Sequence, residues 1–313
     1  MPDFFIVGHA KCGTTALYEM LRGHPQIYMP ELKEPAYFAT DLRTRFQRRA
    51  AGPLPETPEE YLALFADARE DQLAGEASSL YLWSSAAAQG IAEAQPQARI
   101  IAILREPAGF LRSLHLQLLQ NHIESEKSLR KAIALEQLRR RGKRIPRRSV
   151  RPQALLYSER VQYVDQVRRY HDAFAPEQVL ILIYEEFRRN NEATVRKVQR
   201  FLGVDDTQPI AVTDANPTVR MRSQQLDDLV NAVSVGRGPL SRAAKATVKA
   251  LTPGDLRSRA LRAAQRRVVY GRPAPPDEEL MGELRRRFKG EVEALSEYLH
   301  RDLVTLWGYD SVE

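Results

Sequence analysis

The chain has 313 residues, of which 43% are hydrophobic, an ordinary share for a globular protein and enough for a sizeable core. Its formal net charge of +7 favours anionic partners such as nucleotides, sulfated or carboxylated sugars, nucleic acid or anionic lipid, without choosing among them. The single cysteine, Cys12, excludes an intramolecular disulfide and a four-cysteine zinc site.

Apolar patterning gives no indication of a membrane protein. The chain starts at Met1 with neither the basic start nor the long apolar stretch of a signal peptide. It also has no run of about 18 apolar residues. We therefore expect a cytoplasmic protein without a transmembrane segment, for which only peripheral membrane contact stays open. The Ala- and Arg-rich composition is typical of bacterial proteins.

Short apolar segments predict four strands, at 4–7, 72–75, 99–104 and 179–184. The first, third and fourth are continuous rather than alternating, as expected of strands covered on both faces. Segments with helical periodicity lie between and after them, at 14–22, 58–68, 86–94, 108–122, 158–174, 192–202 and 276–307. This alternation predicts an α/β fold with a central parallel sheet flanked by helices. No long Pro-rich linker divides the chain, so we expect a single domain over residues 1–313.

A basic segment at 139–151 contains eight Lys or Arg residues and no acidic residue. Its charge, together with Gly142 and Pro146, predicts an exposed basic loop or a frayed helix. The same charge raises the alternative of a nucleic-acid-binding module. No aromatic residues are interleaved for base stacking, so we expect no nucleic-acid partner.

The first predicted strand leads into a glycine-containing turn that precedes a helix. Gly8 and Gly13 have the spacing of a Walker A loop, but Thr14 stands where that motif requires lysine, and the lysine lies inside the turn at Lys11. Backbone N–H groups at a helix N-terminus after such a turn bind anions. The pattern therefore favours a P-loop-like phosphate site. A P-loop kinase or NTPase is the alternative, disfavoured by the missing lysine and by the lack of a convincing Mg²⁺-binding aspartate at a strand end.

The segment 5–17, followed by His24-Pro25, resembles the 5′-phosphosulfate loop of sulfotransferases that use 3′-phosphoadenosine 5′-phosphosulfate (PAPS), closest to the branch that includes the heparan sulfate enzymes and many bacterial homologues. The resemblance implies PAPS as co-substrate, 3′-phosphoadenosine 5′-phosphate (PAP) as product and no metal. It assigns Lys11 to the charge that develops on the bridging oxygen as the bond to sulfur breaks. The loop residues that it assigns to the nucleotide are Gly8, Lys11, Cys12, Gly13, Thr14 and Thr15.

A second nucleotide motif follows the third predicted strand. Arg105 stands at the strand end and Ser113 lies eight residues later on the next helix, which resembles the family's 3′-phosphate motif. A cation and a hydroxyl donor at the carboxyl end of a parallel strand suit a phosphate. A further match, Gly271-Arg272, resembles the loop that closes over the 3′-phosphate and adenine, although Tyr270 replaces the family's lysine.

The acceptor side is indicated by Lys33-Glu34, which together with the two aromatic residues that end at Phe38 resembles the family's Lys-Glu-x-x-Phe-Phe segment. The resemblance assigns Glu34 as the base that takes the acceptor proton, and a hydroxyl nucleophile needs such a base at neutral pH. Because aryl-type sulfotransferases use histidine, three histidines outside any matching motif are rival bases: His9, His115 and His122.

One departure limits what the resemblance implies. Residues 75–82 resemble a segment that carries a lysine after its glutamate in heparan-type enzymes, and Ala77 takes that place here. The acceptor of those enzymes is therefore not carried over, and we expect a small-molecule or glycan acceptor with a hydroxyl or amine. The segments 125–155 and 206–268 match nothing in the family, and we expect them to be variable insertions on the acceptor side. The acceptor's identity and the oligomeric state stay open.

Overall fold

The structure is a computed structural model that describes residues 1–43, 54–147, 149, 151–211, 220–221, 270–271 and 275–312. The predicted nucleotide residue Arg272 and most of the predicted insertion 206–268 lie outside the described residues. Among the helices that are described, none combines the length and the apolar character needed to cross a bilayer.

Five parallel strands form the central sheet, in the order β2-β3-β1-β4-β5. They are β1 (Phe4–Ile6), β2 (Ile27–Tyr28), β3 (Leu73–Ala77), β4 (Arg99–Leu104) and β5 (Val179–Ile183). All four predicted strands and their parallel arrangement are confirmed. The edge strand β2 is not predicted from the sequence, because two residues carry no periodic pattern.

Helices cover both the connections and the C-terminal region, which confirms the α/β class. They are α1 (Thr14–Arg22), α2 (Pro58–Ala63), α3 (Ala87–Ala94), α4 (Pro107–Gln120), α5 (Leu129–Ala134), α6 (Glu136–Arg140), α7 (Tyr163–Ala173), α8 (Tyr184–Arg189), α9 (Asn191–Leu202), α10 (Glu278–Tyr298) and α11 (Leu303–Trp307). Short 3₁₀ turns precede α7 and β5, at Pro152–Leu155, Tyr157–Val161 and Pro176–Gln178. A two-residue antiparallel ladder joins β6 (Arg220–Met221) to β7 (Tyr270–Gly271) and lies against α4.

The position of β1 decides where a ligand can bind. β1 lies between β3 and β4, and the chain leaves it toward β2 on one side before crossing to β4 on the other. Ile6 is in register with both Ala77 and Ile101, so the loops after these three strands leave the same edge of the sheet. Open α/β sheets bind ligands at the carboxyl ends of their strands, at such a switch in strand order.

Two predictions about burial are corrected by the structure. The basic segment 139–151 is not exposed throughout: the Arg139 side chain is 1% exposed and ion-paired with Glu124 at 2.8 Å. Arg151 is half-buried and donates from Nε to the Leu42 carbonyl at 2.9 Å. The strand β5 is half-buried over its first three residues rather than covered on both faces, because it is an edge strand of the sheet.

Candidate functional site

The loop between β1 and α1 can be built only with glycine at two positions. Gly13 has φ +90°, and a Cβ there would lie 3.1 Å from the Phe187 ring. A Cβ on Gly8 would lie 2.9 Å from the backbone carbonyl oxygen of Ile103. A left-handed φ and close backbone approach are the two conditions that glycine alone meets without cost. The backbone of the loop is therefore held close against β4 and α8.

Helix α1 starts directly after this loop with its N-terminus open to an anion. Its N-cap is Gly13, which provides no side-chain hydrogen bond, and no acidic residue lies in its first turn. Thr14 is buried and Thr15 is half-buried in that turn. Uncapped N–H groups and the helix dipole both favour negative charge at this position. Gly13, Thr14 and Thr15, the residues predicted to contact phosphate, all lie at this helix N-terminus.

Cys12 takes a different position from its neighbours in the loop. Its side chain is fully buried, and its backbone N–H donates to the His9 carbonyl at 3.2 Å. Burial raises the pKa of the Cys12 thiol to about 12, so the group stays protonated and unreactive at neutral pH. Cys12 therefore fills the space beneath the loop with an inert side chain.

Lys11 and Arg105 meet at the loop although 94 positions separate them in sequence. Arg105 follows β4, donates from Nη1 to the Lys11 carbonyl at 2.7 Å and stacks over the Tyr184 ring at 4.4 Å. Burial, and after it the positive charge of Arg105, lower the pKa of the Lys11 ammonium from its ordinary value. Two cations this close, one of them partly desolvated, are stabilised by an anion bound between them.

The second predicted phosphate motif lies at the same edge of the sheet. Ser113 is buried on α4, two helical turns into the helix that starts just after Arg105. The α4 N-terminus itself is capped, because the Glu106 carboxylate accepts from the N–H groups of Ala108 and Gly109. The backbone of Gly271 belongs to the ladder that lies against α4.

Glu34 is fixed beside the end of β3. Its carboxylate accepts from the backbone N–H of Ser79 at 2.6 Å and from the Ser79 hydroxyl at 2.8 Å, and it is ion-paired with Lys33. Its own N–H donates to the Ala77 carbonyl at 3.0 Å. These contacts hold the Glu34 carboxylate at the edge of the sheet that also carries the phosphate loop.

Both residues with predicted catalytic roles have left-handed backbone conformations. Lys11 has φ 70° and Glu34 has φ 65°, and Ala36 nearby has φ 51°. Non-glycine residues rarely adopt this region, and it costs about 1–3 kcal/mol at each position unless the surroundings impose it. Strained conformations of this kind concentrate at functional sites.

A buried carboxylate that the sequence did not single out supports the Glu34 segment. Glu76, fully buried on β3, accepts hydrogen bonds from the hydroxyls of Tyr61 at 2.8 Å, Tyr81 at 2.7 Å and Ser78 at 2.6 Å. Burial raises its pKa to about 7 against the opposing effect of these donors, and the charge of Glu34 adds to the increase. The motif 75–82 contains three of these residues, but Tyr61 comes from α2 and cannot be foreseen from the motif.

Two of the three hydroxyls bound to Glu76 accept a backbone N–H in turn. The Ser78 hydroxyl accepts from Ala36 at 2.9 Å, and the Tyr81 hydroxyl accepts from Phe38 at 3.3 Å. A hydroxyl that donates to a carboxylate becomes a better acceptor, so the two hydrogen bonds made by each of these hydroxyls reinforce one another. Glu76 thus anchors the strained segment 34–38 through two hydroxyl groups.

Two of the three rival histidines are held in the core. The Nε2 atom of His9 lies 2.7 Å from Gln166 Oε1, and Arg160 donates to its Nδ1 at 3.3 Å. The Nδ1 atom of His115 lies 2.8 Å from the Tyr157 hydroxyl. Burial lowers the pKa of both imidazoles, which keeps them neutral. Both rings are thus engaged by core residues, whereas the third histidine, His122, lies just beyond the end of α4 with φ 54°.

A cavity of about 600 Å³ adjoins the Glu34 segment. Its wall includes the Tyr37 ring, which stacks on Tyr61 with 4.4 Å between ring centroids. The rest of the lining mixes apolar groups, such as Phe38 and Ala86, with polar and charged side chains, among them Arg43, Gln89 and Glu93. The cavity thus offers both apolar surface and hydrogen-bonding groups to a ligand.

Comparisons with known proteins agree with this geometry. The model of the sulfotransferase family matches residues 2–208. Human carbohydrate sulfotransferase 15 is 32% identical over 152 residues, covering 37% of this chain and 27% of the human protein. The mouse protein of the same name is 29% identical over 260 residues, covering 65% of this chain and 44% of that protein. The chain therefore spans less than half the length of these curated relatives.

A solved structure shows the same fold over the whole chain. The crystal structure of a sulfotransferase from Alicyclobacillus acidocaldarius superposes with a TM-score of 0.69 at 26% identity, and the match covers 98% of both chains. Nothing in these comparisons favours the kinase or NTPase alternative.

Proposed function

Because the chain belongs to the sulfotransferase family, we propose that it transfers the sulfonate group of PAPS to a hydroxyl or amine of a small-molecule or glycan acceptor. The observation that carries the proposal is the meeting of Lys11 and Arg105 at the glycine-bounded loop, at the same edge of the sheet as the fixed carboxylate of Glu34. The named carbohydrate sulfotransferases among its relatives make saccharides the first acceptors to test.

The residues around the loop fit PAPS because the backbone approaches closely and the helix N-terminus is uncapped. We assign the 5′-phosphosulfate to Gly8, Lys11 and the first turn of α1, and the 3′-phosphate to Arg105 and Ser113. Gly271 and Arg272 are assigned to the closing loop. When bound, PAPS supplies an electrophilic sulfur whose bond to the 5′-phosphate oxygen breaks as the acceptor atom attacks.

Lys11 acts on the charge that the phosphate oxygen gains as its bond to sulfur breaks. The ammonium is partly desolvated, so its interaction with that growing charge is stronger than in water. The left-handed backbone at Lys11 and the Arg105 contact to its carbonyl fix where the side chain starts. Lys11 therefore stabilises the transition state more than the bound ground state.

Glu34 takes the proton of the acceptor hydroxyl as the oxygen attacks sulfur. The carboxylate accepts from Ser79 through one oxygen and is ion-paired with Lys33 through the other, so its orientation is set before an acceptor arrives. The cavity lined by Tyr37 and its polar neighbours begins three residues further along the chain. That position suits the part of the acceptor that lies beyond the reacting hydroxyl.

Mass spectrometry of a saccharide, phenol and lipid-headgroup panel incubated with PAPS tests the proposal. We expect the mass gain of one sulfonate group on an acceptor, together with formation of PAP. Calorimetry with PAP in excess chelator is the companion experiment. If PAP does not bind, or binds only with a divalent metal, the assignment of the nucleotide site is wrong.

A further inference from the structure

Two arginines are buried among the described residues, and the fold treats them differently. Arg139 is paired with Glu124 at 2.8 Å, and both side chains are at most 1% exposed. Arg160 is 3% exposed, and none of the described carboxylates lies within ion-pair distance of it. Burying a guanidinium is costly unless its charge is compensated. Arg139 shows how this chain pairs an arginine whose role is structural.

The contacts of Arg160 leave its charge uncompensated. Its Nη2 donates to the neutral imidazole of His9 at 3.3 Å, its guanidinium lies 4.0 Å from the Trp83 ring centroid, and its Nε finds no hydrogen-bond partner within the described part of the chain. Burial, and after it the charge of Arg151, lower the pKa of Arg160 to about 9, so the group is still cationic at neutral pH. A ring face compensates a buried cation less well than a carboxylate does.

The carboxylates nearest to Arg160 in the sequence form ion pairs with other arginines. Glu159 lies 3.2 Å from Arg140, and Asp165 lies 3.5 Å from Arg168. Both of these partners are about half exposed. The carboxylates nearest to Arg160 in the sequence are therefore paired with partly exposed arginines, and they do not compensate the charge of Arg160.

Two more arginines near Arg160 have the same surplus of donors. Arg169 donates to the Leu82 carbonyl at 3.1 Å, and Arg151 donates to the Leu42 carbonyl. Among the described residues, each also has a buried nitrogen without a hydrogen-bond partner, Nε in Arg169 and Nη2 in Arg151. The Asp41 carboxylate acts on Arg151 and raises its pKa against the effect of burial, but one carboxylate does not balance three positive charges. The cluster of Arg151, Arg160 and Arg169 is named the arginine triad below.

The arginine triad lies beside the two loops that carry the proposed reaction centre. His9, which Arg160 contacts, belongs to the loop after β1. Trp83 lies four residues after Ser79, the residue that orients Glu34. Tyr163, three residues after Arg160, donates from its hydroxyl to the Arg105 carbonyl at 2.9 Å. The triad therefore lies beside the loops that carry the phosphate loop and the Glu34 turn, with Arg105 also nearby.

We propose that the arginine triad is a subsite for an anionic group of the acceptor: a carboxylate, a sulfate or a phosphate. The inference rests on the proposed function, because it takes the nucleotide's phosphates to be bound by Lys11 and Arg105. An anion at the triad supplies negative charge that Arg160 does not receive from the described residues, and the triad nitrogens that have no partner among those residues offer it N–H donors. The acceptor is then an already acidic molecule rather than a neutral one.

Thermal unfolding with saturating PAP tests the triad, with inorganic sulfate as the probe at constant ionic strength. Without sulfate, we expect Arg160→Met to unfold at or above the wild-type temperature, because it removes an uncompensated buried charge. Arg139→Met, which leaves Glu124 buried and unpaired, should unfold at least about 5 °C lower. With sulfate, the wild type and the exposed control Arg168→Met should gain stability, whereas Arg160→Met and Arg169→Met should lose that gain.

Three outcomes overturn the subsite. Equal sulfate responses in the wild type and both triad variants show that sulfate binds elsewhere. Destabilisation of Arg160→Met as large as that of Arg139→Met, including failure to fold, shows a structural role. A tenfold or greater loss of PAP affinity in Arg160→Met, measured by calorimetry, shows that the counter-charge comes from the nucleotide. If the wild type binds no PAP, the proposed function fails instead, and the sulfate response without PAP still tests the triad.

Discussion

Arg105 donates a hydrogen bond to the backbone carbonyl of Lys11 at 2.7 Å, which joins the loop after β1 to the end of β4. The contact leaves the remaining N–H donors of the guanidinium for other partners while Tyr184 stacks on its face at 4.4 Å. One side chain thus fixes the conformation of the phosphate loop and brings a second positive charge to it. Losing Arg105 therefore affects both proposed phosphate sites, though not equally.

We expect Arg105→Ala to weaken PAP binding more than it weakens binding of the analogue without the 3′-phosphate. A charge-assisted contact to phosphate contributes roughly 1.5–3 kcal/mol, and only PAP loses that contact. Both ligands also lose the support that Arg105 gives the loop. Calorimetric titration of the variant with each ligand measures the difference.

Tyr184→Leu is the matched control, because it removes the stacking partner of Arg105 and keeps the guanidinium. We expect this variant to weaken the binding of both ligands by similar factors, because it affects only the support that Arg105 gives the loop. Equal losses for both ligands in Arg105→Ala would mean that Arg105 supports the loop and does not bind the 3′-phosphate.

Lys11→Ala should lower kcat by about 10²–10³-fold and weaken PAP binding by a smaller factor, because its charge interaction is strongest in the transition state. Because Lys11 has φ 70°, the alanine variant also carries the conformational free-energy cost of a left-handed backbone. Lys11→Asn separates the two effects, since asparagine tolerates the left-handed region better. Steady-state kinetics with PAPS should give equally low kcat for both variants. A kcat near the wild-type value in Lys11→Asn would assign the loss to backbone strain instead.

The sequence predicts those parts of the site that depend on short-range patterns. The spacing of Gly8, Lys11 and Gly13 and the strand before them are local, and their geometry is observed. Burial is set by the whole fold, which explains why the segment ending at Arg151 was predicted to be exposed. Charge compensation is equally non-local, so the difference between Arg139 and Arg160 is visible only once distant elements pack together.

Glu34→Gln should lower kcat by about 10²–10⁴-fold and leave PAP affinity nearly unchanged, because a base for the acceptor has no need to contact the nucleotide. Ser79→Ala is the graded control: it removes the hydroxyl at 2.8 Å and keeps the backbone N–H at 2.6 Å, so a smaller loss is expected. Kinetics with an identified acceptor measure both. Near-normal turnover of Glu34→Gln would exclude Glu34 as the base and make His122 the next residue to replace.

Glu76→Gln should lower kcat without changing PAP affinity, because it acts through the 34–38 segment. The carboxylate accepts from the hydroxyls of Tyr81 and Ser78, which in turn accept backbone N–H groups of that segment. The NH₂ group of the glutamine amide donates and cannot accept, so at least one of the hydrogen bonds from these hydroxyls is lost. Stopped-flow or steady-state kinetics beside PAP calorimetry test this separation. Loss of PAP binding in step with kcat would indicate general damage to the fold.

Glu76 should also make stability depend on pH. Its native pKa of about 7 lies above the ordinary value of about 4.3 in an unfolded chain, so the native state retains a proton that the unfolded state has released. That contribution is complete below about pH 4.3 and is lost as pH rises through about 7. The Tm of the wild type should therefore fall relative to that of Glu76→Gln between about pH 5 and about pH 8. Tyr81→Phe removes a donor that lowers this pKa, so its decline should begin at the same pH but continue to higher pH. Parallel Tm curves for the wild type and Glu76→Gln across this range would show that Glu76 does not titrate there.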